Sequence, residues 1–559
     1  MKLFPILFSA ILVLGGGTCT GENIPGIFKR VEAYLSESAR DEGLLKDFVE
    51  SGTMNGMFKT GEVLQIFEEL LNKYPQFVSK EKIGKTVKDV GIYAFKLSST
   101  GKNPKYKKSK VLFTGAHHAR ELLTPTIVLC IYIEALHSLL HPSGKAEYWR
   151  YNDLLIIPIV NIDSHALISA AWNTKRWEEV KWTRKNQKID CSDALSGGVD
   201  LNRNYGYHYG ESLDDINPCE ETFKGESAFS EPETQAVRSL VEKYSGLISS
   251  AMNFHSYGDL WLRPFNYMRQ KDTWPDRFDQ TVINFYQNFD KKIKKVSEAK
   301  VGNAIESVGY FTDGEASDWM LGEHQILAFS PELGSKDPKA QTFFIPKNLI
   351  FSVIKENYSV IELFLAENTF RPSGLIFGFD NQKKLRVSFQ NEGVATLFEP
   401  IITLHTNLAS FSETLKSVTG RTREGLTFTS DFKTDFDSVS FSVPSINRLT
   451  EFVLEFEFTD DSVQNSKLEL DLQISLAWGE RVSSFLLTHD GRIINESLIY
   501  AAFSVLTIFM IITTIFMTEK IIASRKLRRV RERRNSNVPR PSLKNDIKAI
   551  EACLDPPTF

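Results

Sequence analysis

Cysteine is scarce, with five in 559 residues, and none falls in a C-x-x-C pair or any cysteine-rich zinc spacing. That excludes a thiolate metal knuckle and a dithiol redox centre, so any metal would have to be held by histidine and carboxylate. An excess of charge of one sign is also missing: 66 Lys+Arg against 70 Asp+Glu leave a formal net charge of -4. No basic stripe interleaved with aromatics crosses the region expected to fold, which excludes a nucleic-acid groove. There is no internal repeat and no long low-complexity tract, so neither a solenoid nor a disordered scaffold fits.

What is present begins at the two ends. Lys2 precedes an apolar run and then small residues around Gly15 to Thr20, the layout of a secretory signal peptide over residues 1–20. Residues 498–517, LIYAAFSVLTIFMIITTIFM, carry no charge and are long enough to cross the hydrocarbon core as a helix. The basic run RKLRRVRERR follows, and its charge should keep a tail over 518–559 cytoplasmic. Together these predict a single-pass type I membrane protein with most of the chain extracellular or in the secretory or endosomal lumen. The cysteines sort accordingly. Cys19 lies near the cleavage region, Cys553 in the tail, and Cys130 in the apolar run TIVLCIYIEAL, where a thiol behaves as a small hydrophobe. Cys191 and Cys219 remain as the pair for a disulfide in an oxidising compartment. Asn357 (NYS) and Asn495 (NES) lie in glycosylation triplets.

Between the ends, 42% hydrophobic and 24% charged residues suit two or three folded units. Residues 21–55 form a short N-terminal segment with helical stretches and no motif. Over residues 56–371 helical patterns alternate with apolar strands: EVLQIFEELLNKY, VLFTG, LTPTIVLCIYIEALHSLL, DLLIIPIVNID, ISSAMNFHSYG and QILAFSPELG. This predicts an α/β fold with helices on the faces of a sheet, and polar residues gather at the strand ends. Over residues 372–488 short alternating segments separated by Gly, Asn, Asp and Ser predict an all-β, sandwich-like module.

The chemistry concentrates in VLFTGAHHAREL, where His118 and Glu121 stand three apart just after a strand. An imidazole and a carboxylate suit Zn²⁺, with a third ligand to come from elsewhere and a position left for water. His117 adds an ambiguity of register, and the spacing to Glu121 selects His118.

Further segments carry a family pattern: GAHHAREL, NIDSH, TRKN, DLNRNYGYHYG, NPCEETFKGESAFSEPETQAV, NFHSYG, YFTDGEASDW and FSPELG. In this order and at these spacings the chain resembles the zinc carboxypeptidase family, the pancreatic carboxypeptidase A/B type in particular, over about residues 58–371. The resemblance implies a mixed-sheet α/β/α domain binding one zinc through His118, Glu121 and His255. It implies Glu332 as the general base acting on a zinc-bound water and Arg184 as the group that polarises the scissile carbonyl. Asp200 would orient a ligand imidazole. Asn202 and Arg203 would grip the substrate's terminal carboxylate, with Tyr310 closing over it and Arg120 as a secondary substrate contact. Cys191 and Cys219 match the disulfide of that branch.

The implied reaction is hydrolysis of the C-terminal peptide bond of peptides or proteins, releasing single amino acids. The other readings are a catalytically silent receptor for C-terminal tails and a related zinc amidase on non-standard peptides. Two departures stand out. Trp182 is separated from Arg184 by Thr183, where the family commonly has Trp directly before the Arg. Ser317 occupies the position at the base of the side-chain pocket and signals neither a basic nor an apolar preference, although Glu315 and Asp313 lie close. The absence of an Arg there weighs against acidic residues. Only residues 21–55 precede the pattern, so that branch's long inhibitory pro-segment is expected to be absent or reduced.

Overall fold

A computed structural model describes residues 24–495 except 102–106, 143–146, 189–190, 192–196, 212–216, 269–273 and 276–277; beyond residue 379 it describes 384–398 and the strands up to Asn495. The expected signal peptide, membrane helix and cytoplasmic tail lie outside the described residues.

Nine strands make one mixed sheet: β1 (Val78–Lys85), β2 (Gly91–Leu97), β3 (Ser109–Thr114), β4 (Asn152–Ile157), β5 (Ile248–Asn253), β6 (His255–Ser256), β7 (Leu260–Leu262), β8 (Lys300–Gly302) and β9 (Leu327–Leu333). Their order is β1-β2-β4-β3-β5-β9-β7-β8, with β6 paired to β9. The centre, β4-β3-β5-β9, is parallel, while β1-β2, β2-β4 and β7-β9 are antiparallel. Every residue of β3, β4 and β5 is buried, as expected of parallel strands covered on both faces.

Helices supply the cover. α1 (Ile24–Ser36) and α2 (Glu42–Val49) come from the segment without motifs, yet Ile27, Val31, Tyr34, Phe48 and Val49 sink into the same core. In α3 (Thr60–Lys73) the buried Val63, Ile66, Phe67 and Leu70 recur at the spacing of one helix face. Full burial of each such side chain contributes about 1.5–3 kcal/mol. α4 (Leu123–Leu140) is long and apolar enough to cross a membrane, but it is mostly buried within the domain and serves as a core helix. Cys130 lies buried on it as a free thiol.

The helix Lys347–Glu367 corrects one reading: Asn357 is 4% exposed and its amide donates to the Gly334 and Val353 carbonyls at 2.8 and 2.7 Å. A glycan has no access to it in the folded chain. Beyond Arg371 every described element is a strand. Pro372–Phe379, Lys384–Asn391, Thr450–Phe458, Leu415–Arg421 and Leu426–Phe428 pair in that order, and Ser438–Ser442, Ile401–Thr406, Glu469–Ser475, Arg481–Thr488 and Ile493–Asn495 form a second series.

Candidate active site

Three strand ends converge. β3 runs out at Thr114 into a tight turn that carries His118 and Glu121. Gly115 is required there, because a Cβ would meet the Pro158 carbonyl at 2.7 Å. Ala116 takes a left-handed φ of 49°, held by its N–H donating to Thr124 Oγ1 at 2.9 Å and its carbonyl accepting from Asn161 at 2.9 Å. β5 continues into β6, which brings His255, and β9 brings Glu332. His255 and Glu332 are register partners on the parallel pair β6-β9, so a single strand spacing separates their backbones.

His118, Glu121 and His255 are all buried, and one ligand atom of each lies within 4.8 Å of the others. His118 Nδ1 is 2.6 Å from Glu121 Oε1 and 3.2 Å from His255 Nδ1, which is itself 3.1 Å from Glu121 Oε2. His117 turns away, its Nε2 2.8 Å from the Tyr205 hydroxyl, which settles the register in favour of His118.

Asp200 organises the far side. It is fully buried at the N-cap of the short turn Leu201–Arg203. Its Oδ1 faces His118 Nε2 at 3.0 Å and accepts the Asn202 N–H at 2.9 Å. Its Oδ2 accepts from Arg184 Nε at 3.0 Å and Nη2 at 2.7 Å. Burial alone would raise the Asp200 pKa, but Arg184, His118 and Arg203 hold it well below the carboxylate range. Arg184 Nη1 lies 3.1 Å from His118 Nδ1. The Thr183 insertion does not displace this arginine: Ala119 N–H and Asn161 Nδ2 fix its carbonyl at 3.1 and 3.2 Å, while Trp182 points outward, 44% exposed.

The remaining candidates divide. Glu332 is half-buried, and enclosure together with the Glu121 charge raises its pKa well above the usual range against the pull of Arg184 and Arg203. Arg203 is buried with Nη1 on the Asn202 carbonyl at 2.8 Å. Asn202 Oδ1 accepts from Ala316 N–H at 3.1 Å. Arg120 lies over the Phe343 ring at 4.6 Å and pairs with Glu221. Tyr310 is outside the cluster, 57% exposed. Ser317 is fully buried, its hydroxyl donating to Glu315 at 2.5 Å. Cys191 and Cys219 are joined, with Cα atoms 5.9 Å apart. No motif in the sequence places Asn266 and Ser330, which meet Glu315 across 49 and 15 positions of the chain.

Residues 63–360, more than half of the chain, match the family described as zinc carboxypeptidase. The chain belongs to that family. Among individual zinc carboxypeptidases it is similar to bovine carboxypeptidase O, 27% identical over 316 residues that cover 56% of this chain and 79% of the relative. It is also similar to mouse mast cell carboxypeptidase A, 27% identical over 54% of this chain and 69% of the relative, and to bovine carboxypeptidase B, 29% identical over 53% and 66%. Bovine thrombin-activatable fibrinolysis inhibitor, solved with a tick carboxypeptidase inhibitor, aligns over 56% of this chain and 98% of its own with a TM-score of 0.46 and 22% identity.

The donor set fits the family's metal. The Asp200 carboxylate can only accept from His118 Nε2, which places that ring's proton there and leaves Nδ1 as a lone pair. Burial lowers the His255 pKa and favours its neutral form, against the opposing Glu121 charge. Two imidazoles and a carboxylate, converging in a buried site, are ligands suited to zinc.

Proposed function

We propose that the chain is a zinc-dependent carboxypeptidase that hydrolyses the last peptide bond of peptides or proteins and releases single amino acids. The observation that carries this reading is the convergence of His118, Glu121 and His255, with Glu332 in register beside His255. Zinc, held by His118, Glu121 and His255, supplies Lewis acidity that makes a water more acidic and polarises a carbonyl.

Each residue then has a task. Asn202 and Arg203 anchor the substrate's terminal carboxylate. A guanidinium fork can donate two parallel hydrogen bonds to it, and that requirement makes the reaction exopeptidic. Arg184, anchored through two donors to Asp200, directs its remaining N–H groups and its charge at the scissile carbonyl oxygen. Glu332 takes a proton from the attacking water as the new carbon–oxygen bond forms, and delivers it to the leaving nitrogen as the carbon–nitrogen bond breaks. Tyr310, exposed in this structure, closes over the bound C-terminus, and Arg120 contacts residues upstream.

We further take residues 1–20 as a signal peptide, 372–488 as a β module and 498–517 as a membrane anchor. The enzyme would then act outside the cytosol, and the Cys191–Cys219 disulfide suits an oxidising compartment. The test is to purify the chain, load zinc and follow amino acids released from peptides with free and amidated C-termini. Release from the free acid only is expected; no release despite stoichiometric zinc would overturn the enzyme reading.

A further inference from the structure

Tyr310 stands at the tip of a loop whose two feet rest on one residue. The chain leaves the buried interior through the short helix Ala304–Ser307, rises to the exposed Val308 and Tyr310, and is buried again at Asp313. The N–H of Ala304 opens that helix and has no acceptor within it; it donates to Asn266 Oδ1 at 2.9 Å. On the return, the Thr312 N–H donates to the Asn266 carbonyl at 2.8 Å. Arg263 braces the first foot as well: its N–H donates to the Gly302 carbonyl at 3.0 Å, and its guanidinium reaches Glu306 at 3.0 Å and Asp290 at 2.9 Å.

The other groups of Asn266, which is 1% exposed, fasten it to the site. Its backbone N–H lies 2.9 and 2.8 Å from the two Asp318 oxygens, and its Nδ2 donates to Asp318 Oδ1 and Glu315 Oε2, each at 3.2 Å. Glu315 accepts through its other oxygen from Asn202 Nδ2 at 3.4 Å. Asn266 therefore ties both feet of the loop to the residue proposed to grip the substrate's terminal carboxylate. The tip is built differently. Gly309, beside Tyr310, has a φ of 87°, and a Cβ there would meet nothing within 4 Å. Fixed feet and an unobstructed tip are the construction of a hinge.

Resting on the carboxypeptidase reading, we infer that Asn266 is a positioning residue for Tyr310: it holds both feet of the loop in register with Asn202, so that closure brings the phenol onto the C-terminus bound there. Without the Oδ1 anchor the first foot takes up several orientations, and the loop that closes correctly is a smaller fraction of them. Apparent affinity for the substrate falls by that fraction. Tyr310 meets the bound terminus before and during bond breaking alike, so the loss falls on KM rather than on kcat.

Two variants cut the same tie from opposite sides. Asn266→Gly removes the side chain and keeps the backbone bonds to Asp318 and Thr312. Ala304→Pro removes the N–H at the first helical position, where proline fits, and Asn303 before it is already extended, with φ -81° and ψ 178°. Each is made in the full chain with zinc, alone and combined with Tyr310→Ala. KM and kcat are measured for release of the last residue of one peptide, and Kd for the same peptide by calorimetry in the Glu332→Gln background. Either variant alone should raise KM and Kd about 10-fold, the scale of one lost hydrogen bond, with kcat held within about 2-fold. Added to Tyr310→Ala, the same changes should cost nothing more, because the group they position is gone. Equal losses with and without Tyr310 overturn the inference, as does an unchanged KM in both single variants. Should Asn266→Gly fail to fold, Ala304→Pro and its combination with Tyr310→Ala decide alone. Coupling to Tyr310 in Kd with no release by the wild type upholds Asn266 and overturns the carboxypeptidase reading instead.

Discussion

A lone buried histidine and a buried histidine pair lie within the same α/β unit and have opposite characters. His165, on the helix Ile162–Ala171, is fully buried toward α3, its Nδ1 2.7 Å from Thr60 Oγ1, which is 3.1 Å from Ser169 Oγ. The hydroxyl of Thr60 is its partner, and burial holds its pKa at about 4. His118 and His255 are as deeply buried, but Glu121 stands between them and Asp200 behind. Burial raises the Glu121 pKa and the two histidines reverse that, holding it below the carboxylate range. A buried imidazole by itself is a neutral strut. Converging carboxylates turn a pair of them into a cation site.

The sharpest way to break that contrast is to remove one histidine from each site. His255→Ala should abolish stoichiometric zinc and all hydrolysis, while His165→Gln should keep both, as read by metal content after dialysis and by amino-acid release. Zinc retained in His255→Ala would remove the distinction. Next in size, Glu332→Gln should keep its zinc and its melting temperature while kcat falls about 10³-fold, the scale expected of a lost general base. A fall in zinc content alongside kcat would instead place Glu332 among the groups that hold the metal.

The strut should show itself in acid. Above pH 6.5 His165 is neutral in both folded and unfolded chains and adds no pH dependence. As the pH falls from 6.5 toward 4 the unfolded chain takes up a proton that the buried ring refuses. Stability is therefore lost across that window, by about 1.4 kcal/mol per pH unit and about 3 kcal/mol in all. Denaturant unfolding of wild type and His165→Gln between pH 7 and 4.5, both saturated with zinc, should give a shallower slope for the variant. Parallel slopes would show that the ring is not kept neutral.

The contrast also explains what could be read from sequence. His118 and Glu121 were legible as a candidate because a three-residue spacing after an apolar strand is a local pattern, and His255 and Glu332 only because NFHSYG and FSPELG fall in the order and spacing of the zinc carboxypeptidase pattern. The α/β alternation was legible from buried strands such as SKVLFT. The Thr60–His165 contact joins residues 105 apart, and Glu315 meets Asn202 across 113 positions and Asn266 across 49. Nothing local records such pairings, so Glu315 reads only as a neighbour of Ser317. α1 and α2 carry no motif although their apolar residues join the core, and the NYS triplet at Asn357 says nothing of the buried helix face on which it lies.

Asp200 gives the smallest predicted effect and the most discriminating one, because it touches both His118 of the candidate zinc cluster and Arg184, the group proposed to face the scissile carbonyl. Asp200→Asn keeps the shape but trades one acceptor for an N–H₂ and removes the charge. His118 then loses the partner that fixes its proton on Nε2, and Arg184 loses the carboxylate that anchors Nε and Nη2. Loss of such a supporting group lowers metal affinity by about 10–100-fold, so zinc should leave the variant at chelator concentrations the wild type survives. If Asp200 also anchors Arg184, saturating zinc should restore metal content without restoring kcat. Full recovery of kcat with zinc would confine Asp200 to the imidazole and leave Arg184 positioned by its backbone alone, through the bonds that Ala119 and Asn161 make to its carbonyl.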